Sequence, residues 1–203
     1  VWLLATCACL LCLGTGGCGG PSETPTSVAA SVAPRSPHLV LITIDTLRAD
    51  RVGVYAPQDP RIHTPTLDRL AAQGVRYAHA VSPSPLTLPA HASMLTGQYP
   101  TSHKLRDNVN YRLPYEVTTI AEVLREQHAY TTAAFVSAQT VAGSLGLRQG
   151  LGHYDDEVTP SAIPGYTLHE RNGRETVDAA IAWTEKHVAT SAAQPVFLWV
   201  HLF

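Results

Sequence analysis

The chain has 203 residues, 45% of them hydrophobic and 15% charged, with a formal charge of −2. That length carries one ordinary domain with a real core, and the composition excludes an unfolded, highly solvated chain. With no basic excess and no Lys/Arg cluster, nothing in the charge supports nucleic-acid binding or attraction to an anionic membrane surface.

The first stretch, "VWLLATCACLLCLGTGGCGG", is an apolar run ending in small residues. It is too short for a comfortable membrane span and fits the apolar region of an export signal, here assigned to residues 1–18. All four cysteines lie in it: Cys7, Cys9, Cys12 and Cys18. The rest of the chain therefore has no disulfide framework, no thiolate metal site and no cysteine nucleophile. "TGGC" is similar to a bacterial lipoprotein box with Cys18 as the lipidated residue, although Thr15 stands where Leu is usual. The expected location is the periplasm, or the membrane through that lipid anchor, of a bacterium. Residues 19–37, rich in Pro, Ser, Thr and Ala, read as a flexible tether.

The domain, residues 38–203, is expected to be an α/β structure with a mainly parallel or mixed central sheet flanked by helices. "LVLITID" is a continuous apolar run, predicted as a strand buried on both faces. "TPTLDRLAAQG" predicts a helix with Thr64 as cap, Pro65 in the first turn, and Leu67, Leu70 and Ala71 on one face. "VRYAHAVS" alternates as a strand does. "SPLTLPAHASMLTG" reads as a turn feeding a helix. "TIAEVLREQ" predicts a helix with a Thr119/Glu122 capping box and an apolar face of Ile120, Val123 and Leu124. "YTTAAFVSA" is the next strand, and residues 139–172 read as loop. "ETVDAAIAWTEKHVA" predicts a helix with Val177, Ala180, Ile181 and Val188 on one side. "PVFLWVHLF" is a last buried strand, expected to leave an unpaired apolar edge.

Three positions could carry chemistry on local grounds. Asp45 ends a buried strand, where a carboxylate is costly unless it is paired or binds a metal; the plainer alternative is an Asp bonded to the next loop's amides. Thr87 lies two residues before Pro89, near a helix start whose free N–H groups and positive end favour an alkoxide. The plainer alternative is an ordinary capping threonine. His91, four residues on, faces the same side of that helix as Thr87, or else faces solvent. Ser84 and Ser93 are rival hydroxyls, the first in a turn and the second inside the helix. His63, His79 and His103 are scattered without metal-ligand spacing.

Taken in order, "LVLITIDTLRADRVGVY", "HTPTLDRLAAQGVRYAHAVSPSPLTLPAHASMLTGQYPTSH", "LRDNVNYRLP" and "TIAEVLREQHAYTTAAFVSA" resemble the N-terminal half of the sulfatase family, in the alkaline phosphatase superfamily. The resemblance implies a large α/β fold whose first strand ends in metal-binding aspartates. Asp45 matches the first, and Thr46 stands at the second. The family signature is Cys or Ser, any residue, Pro, any residue, Arg, then small residues. Here it reads Thr87, Leu88, Pro89, Ala90 and His91. Thr87 thus stands where the family converts Cys or Ser to formylglycine, and no formylglycine is expected from a threonine. The resemblance implies a divalent cation (Ca²⁺, Mg²⁺, Mn²⁺ or Zn²⁺) at Asp45 and Thr46, with Thr87 as a direct nucleophile and His91 beside it. It suggests Asn108 and His201 as substrate-lining residues. The Lys- and His-bearing segment common in sulfatases is replaced by Phe135, Val136 and Ser137. The family's later metal ligands lie beyond this stretch, so the isolated chain is expected to be inactive. The implied activity is hydrolysis of a small-molecule or glycan sulfate ester. Two alternatives remain: a phosphodiesterase, phosphonate hydrolase or phosphoryl transferase on the same scaffold, and a surface-anchored binding protein without catalysis.

Overall fold

The computed structural model describes residues 36–160, 169–190 and 194–203. The expected export signal and the tether up to residue 35 lie outside the described residues. Pro37, at the end of the tether, is already tied to the domain, its carbonyl accepting the Tyr130 hydroxyl at 2.8 Å.

The elements follow in the order β1 (Leu39–Ile44), α1 (Pro65–Gln73), α2 (Thr87–Thr96), α3 (Pro100–His103), α4 (Ile120–His128), β2 (Thr131–Val136), β3 (His153–Asp155), β4 (Thr159–Pro160), β5 (His169–Glu170), α5 (Gly173–Thr190) and β6 (Val196–Leu202). Four strands make one sheet in the order β1-β6-β2-β3, and every pair in it is parallel. β4 and β5 form a small antiparallel pair. The expected α/β architecture is present.

Alternation along the strands divides the core in two. Ala134 and Val136 of β2 and Phe197 and Trp199 of β6 point toward α2 and α4, where they meet Leu88, Ala92, Leu95 and Ala121. Ala133, Phe135, Val196, Leu198 and Val200 point the other way and pack with Ala180, Val177 and Trp183 of α5. The sheet is thus a middle layer with helices on both faces. Because its strands are parallel, their C-terminal ends share one edge, which is where functional groups gather in such sheets.

Several local expectations hold and have a visible cause. α4 carries the full capping box: Thr119 Oγ1 accepts from the Glu122 N–H, and the Glu122 carboxylate accepts from the Thr119 N–H. Gly97 ends α2 in the left-handed conformation at φ 67°, which glycine adopts without steric cost.

Others are corrected. Val75–Ser82 is not a strand; it is exposed throughout and has no neighbouring strand to pair with among the described residues. α1 buries none of its residues, so Leu67, Leu70 and Ala71 do not form a core face. Thr64 makes no side-chain cap there; its hydroxyl accepts the Gly53 N–H instead. Ile120 and Ile181 are about half exposed, and Ala121 and Ala180 take the buried positions. The side chain of Val188 lies outside the described residues. β3 emerges from the presumed loop, because Gly152 and the residues after it hydrogen-bond alongside Thr132 and β2. The last strand leaves no open edge: β6 sits between β1 and β2, and among the described residues β1 and β3 are the edge strands. Among the described residues, no helix is long and apolar enough to cross a membrane.

Candidate active site

β1 delivers Asp45 to the C-terminal edge of the sheet. Its N–H donates to the Leu202 carbonyl at 2.8 Å, one last rung beyond the β1–β6 ladder. The chain then turns sharply, with Thr46 in the left-handed region at φ 55°. Such a conformation is costly for a β-branched residue and is found where surrounding structure imposes it. The turn folds the Thr46 N–H onto Asp45 Oδ1 at 2.8 Å. The other oxygen, Oδ2, accepts the Thr87 hydroxyl at 2.9 Å.

Thr87 is the first residue of α2, and Leu86 holds the cap position. The capping alternative is therefore set aside: the hydroxyl makes no cap bond and points to Asp45. Asn108 does the capping from a distant loop, its Oδ1 accepting the Leu88 N–H at 2.9 Å. Asn108 is thus a support for the helix start. The N–H of Thr87 has no acceptor within its helix, so it adds to the positive character of the helix mouth.

His91 is buried, against the solvent-facing alternative. Its Nδ1–H donates to the Thr87 carbonyl at 2.7 Å, which assigns the proton to Nδ1. Its Nε2 is buried without a partner. Burial pushes the His91 pKa down, against the opposing pull of the Thr87 carbonyl and Asp45. His201 is fully buried behind it, with the two rings edge to face at 4.6 Å between centroids. Burial, then the neighbouring His91, lowers the His201 pKa to about 4, with Asp45 opposing. Both rings are neutral at neutral pH.

A cavity of about 450 Å³ opens over this corner, lined by Thr43, Asp45, Thr46, Ser82, Ser84, Thr87 and His91 among others. Of the six positions singled out in the sequence, Asp45, Thr46, Thr87 and His91 face one space. Asn108 and His201 stand behind it and do not line it. The rival hydroxyls are occupied elsewhere: Ser84 Oγ accepts the Leu86 N–H, and Ser93 Oγ is buried against His103 Nε2.

Sequence reasoning missed Thr43 and Trp199. Thr43 lies opposite His201 in the β1–β6 register, and its Oγ1 is 3.0 Å from His201 Nδ1. The Trp199 indole N–H donates to the same oxygen at 3.1 Å. The available signal was a hydroxyl inside an otherwise apolar strand, two residues before Asp45 and so on the same strand face.

The family model for Sulfatase matches residues 37–203. The chain belongs to the sulfatase family. It is 40% identical over 100 residues to the Ulvan-active sulfatase of Formosa agariphila, covering 49% of this chain and 19% of that protein. It is 37% identical over 112 residues to human Arylsulfatase A, covering 52% of this chain and 22% of that enzyme. The chain thus spans about a fifth of the length of these curated relatives. The fold is similar to a protein solved with its substrate D-glucosamine-2-N,6-O-disulfate, at TM-score 0.63 and 21% identity, over 82% of this chain and 34% of that one. It is also similar to an alkaline phosphatase superfamily protein from Vibrio parahaemolyticus, at TM-score 0.60 and 19% identity, over 84% and 41% of the two chains.

Proposed function

We propose that this chain carries the nucleophile half of a metal-dependent hydrolase of sulfate esters, with Thr87 attacking sulfur directly. The observation that carries the reading is the 2.9 Å hydrogen bond from the Thr87 hydroxyl to Asp45 Oδ2, made across 42 positions of sequence at the C-terminal edge of the sheet. In this reading Thr87 Oγ1 bonds to sulfur as the bond from sulfur to the leaving alcohol oxygen breaks. The hydroxyl proton moves to Asp45 and is passed on to the departing oxygen, which leaves as the alcohol. Water then cleaves the threonine sulfate ester and restores the hydroxyl.

The residues fit a hard divalent cation as part of its ligand set. Each Asp45 oxygen is engaged by one donor, and Thr46 and Thr87 line the same cavity. Among the described residues there is no group of three or more His, Cys, Asp or Glu side chains placed to hold an ion; in this reading Asp45 would supply one ligand of several. When bound, such a cation would supply positive charge that favours the Thr87 alkoxide.

A sulfated glycan is the favoured substrate class, supported by an ulvan-active relative and a fold neighbour bound to a sulfated glucosamine. Export, with a lipid on Cys18, completes the proposal and rests on the apolar run and the "TGGC" stretch; mass spectrometry of the cell-envelope protein tests it.

The test of the nucleophile uses a polypeptide that carries this chain together with the remainder of the sulfatase fold. Aryl sulfate, phosphodiester and phosphonate substrates are assayed side by side. The expected result is preferred turnover of the sulfate, abolished in Thr87→Ala and retained in part in Thr87→Ser. Wild-type turnover in Thr87→Ala would remove Thr87 from the mechanism.

A further inference from the structure

His201 is polar, fully buried and set back from the cavity. A residue needed only to fill that space could be a plain aromatic ring. Instead, one nitrogen is held and the other is left without a partner, as is Nε2 of His91 beside it. Buried polar atoms left this way are rare in folded proteins and call for an explanation.

The hydrogen bonds suggest one. Trp199 donates its indole N–H to Thr43 Oγ1. The same oxygen stands 3.0 Å from His201 Nδ1, a hydrogen bond that either the hydroxyl or the ring nitrogen can donate, and it pins that edge of the ring. Thr43 and His201 are paired across β1 and β6, so the ring is fixed by the two strands that also set the height of Asp45. The held His201 ring meets His91 edge to face at 4.6 Å, with Trp199 packed on His91 at 5.8 Å. His91 in turn clamps the Thr87 carbonyl at 2.7 Å. The side chains form one line from the sheet to the first residue of α2.

We propose that His201 is a positioning residue for Thr87, acting through His91 and held in place by Thr43. It sets the orientation of the His91 ring, and the ring sets the first turn of α2 against Asp45. The inference rests on the reading of Thr87 as nucleophile. Small misplacement of a nucleophile costs rate more than affinity, because the geometry of attack is lost while substrate contacts remain.

The experiment compares His201→Phe, Thr43→Val and the double variant in the polypeptide used above, with 4-nitrophenyl sulfate as substrate and thermal unfolding as a control for folding. His201→Phe keeps a ring without its nitrogens, and Thr43→Val keeps the shape without the hydroxyl. Each is expected to lower kcat by about tenfold or more with KM within about twofold. The double variant is expected to be no worse than the worse single, as for residues acting on one line. If His201→Phe is too unstable to assay, Thr43→Val decides alone by the same split. A wild-type kcat in the decisive variant, a loss confined to KM, or multiplying losses in the double variant overturns the inference. If these results come with a dead Thr87→Ala, only the positioning role falls. An active Thr87→Ala removes the nucleophile reading and the positioning role together.

Discussion

β1 and β6 run side by side in perfect register, yet they live in different surroundings. β6 is sealed on both faces: Phe197, Leu198, Trp199 and Val200 are all below 10% exposed. β1 presents Val40 and Ile42 at 60% and 57% exposure, over an apolar groove of about 340 Å³ shared with α5. The exposed strand leads into Asp45, which touches Thr87, while the sealed strand carries His201, whose ring meets Thr43, His91 and Trp199. The comparison teaches that chemistry and stability are divided between neighbours. β1 leads into the Asp45–Thr87 contact proposed to react, and β6 pairs with β1 and fixes its height.

The division can be broken by substitution. Asp45→Asn should lower turnover by about a thousandfold, the scale of losing a charged partner in proton transfer, while moving the unfolding midpoint little. Kinetics and thermal unfolding on one preparation check both halves. Trp199→Ala should do the reverse through stability, costing about 3–5 kcal/mol because it empties a fully buried site and frees Thr43. Urea unfolding measures it.

Acid should act on the β6 side. The His201 pKa lies near 4 against an ordinary 6.5, so the unfolded chain binds protons that the folded ring refuses. The stability is present above pH 6.5 and is lost as pH falls toward 4, by on the order of 3 kcal/mol over the full window. His91 shifts in the same direction and adds to the slope. His201→Phe should flatten the pH dependence of unfolding; an unchanged slope would place the acid sensitivity elsewhere. The smallest effect is expected on the open face. Ile42→Ala should cost less than about 1 kcal/mol in this chain, as surface positions do. A cost equal to that of Leu198→Ala would show that another surface covers the groove.

Much of the fold is legible in the sequence because its signals are local. The apolar runs at Leu39–Ile44 and Val196–Leu202, the Thr119/Glu122 box and the Pro65 start all report on a few neighbouring residues. The misses are non-local. β3 is three residues long and exists because Thr132 is there to bond Gly152. Val75–Ser82 has the alternation of a strand without a neighbour to pair with. In the site, Thr87 and Asp45 could be singled out one by one. Their contact spans 42 positions, and the roles of Thr43 and Trp199 depend on a register between segments more than 150 positions apart; no local pattern encodes either. The spacing of His91, four residues past Thr87, puts the two on one side of α2 but does not say whether that side meets the sheet or solvent.

The placement of β6 also sets a clock. Among the described residues, the ladder partner of β1 is a strand that begins 157 positions after it, at Val196. Synthesis at roughly 5–20 residues per second separates the two by roughly 8 to 30 seconds. For that time the apolar edge of β1 is open to water, to chaperones and to other nascent chains. Pairings of such long separation also form slowly after synthesis is complete. Asp45 is therefore made long before the strand that fixes it in place.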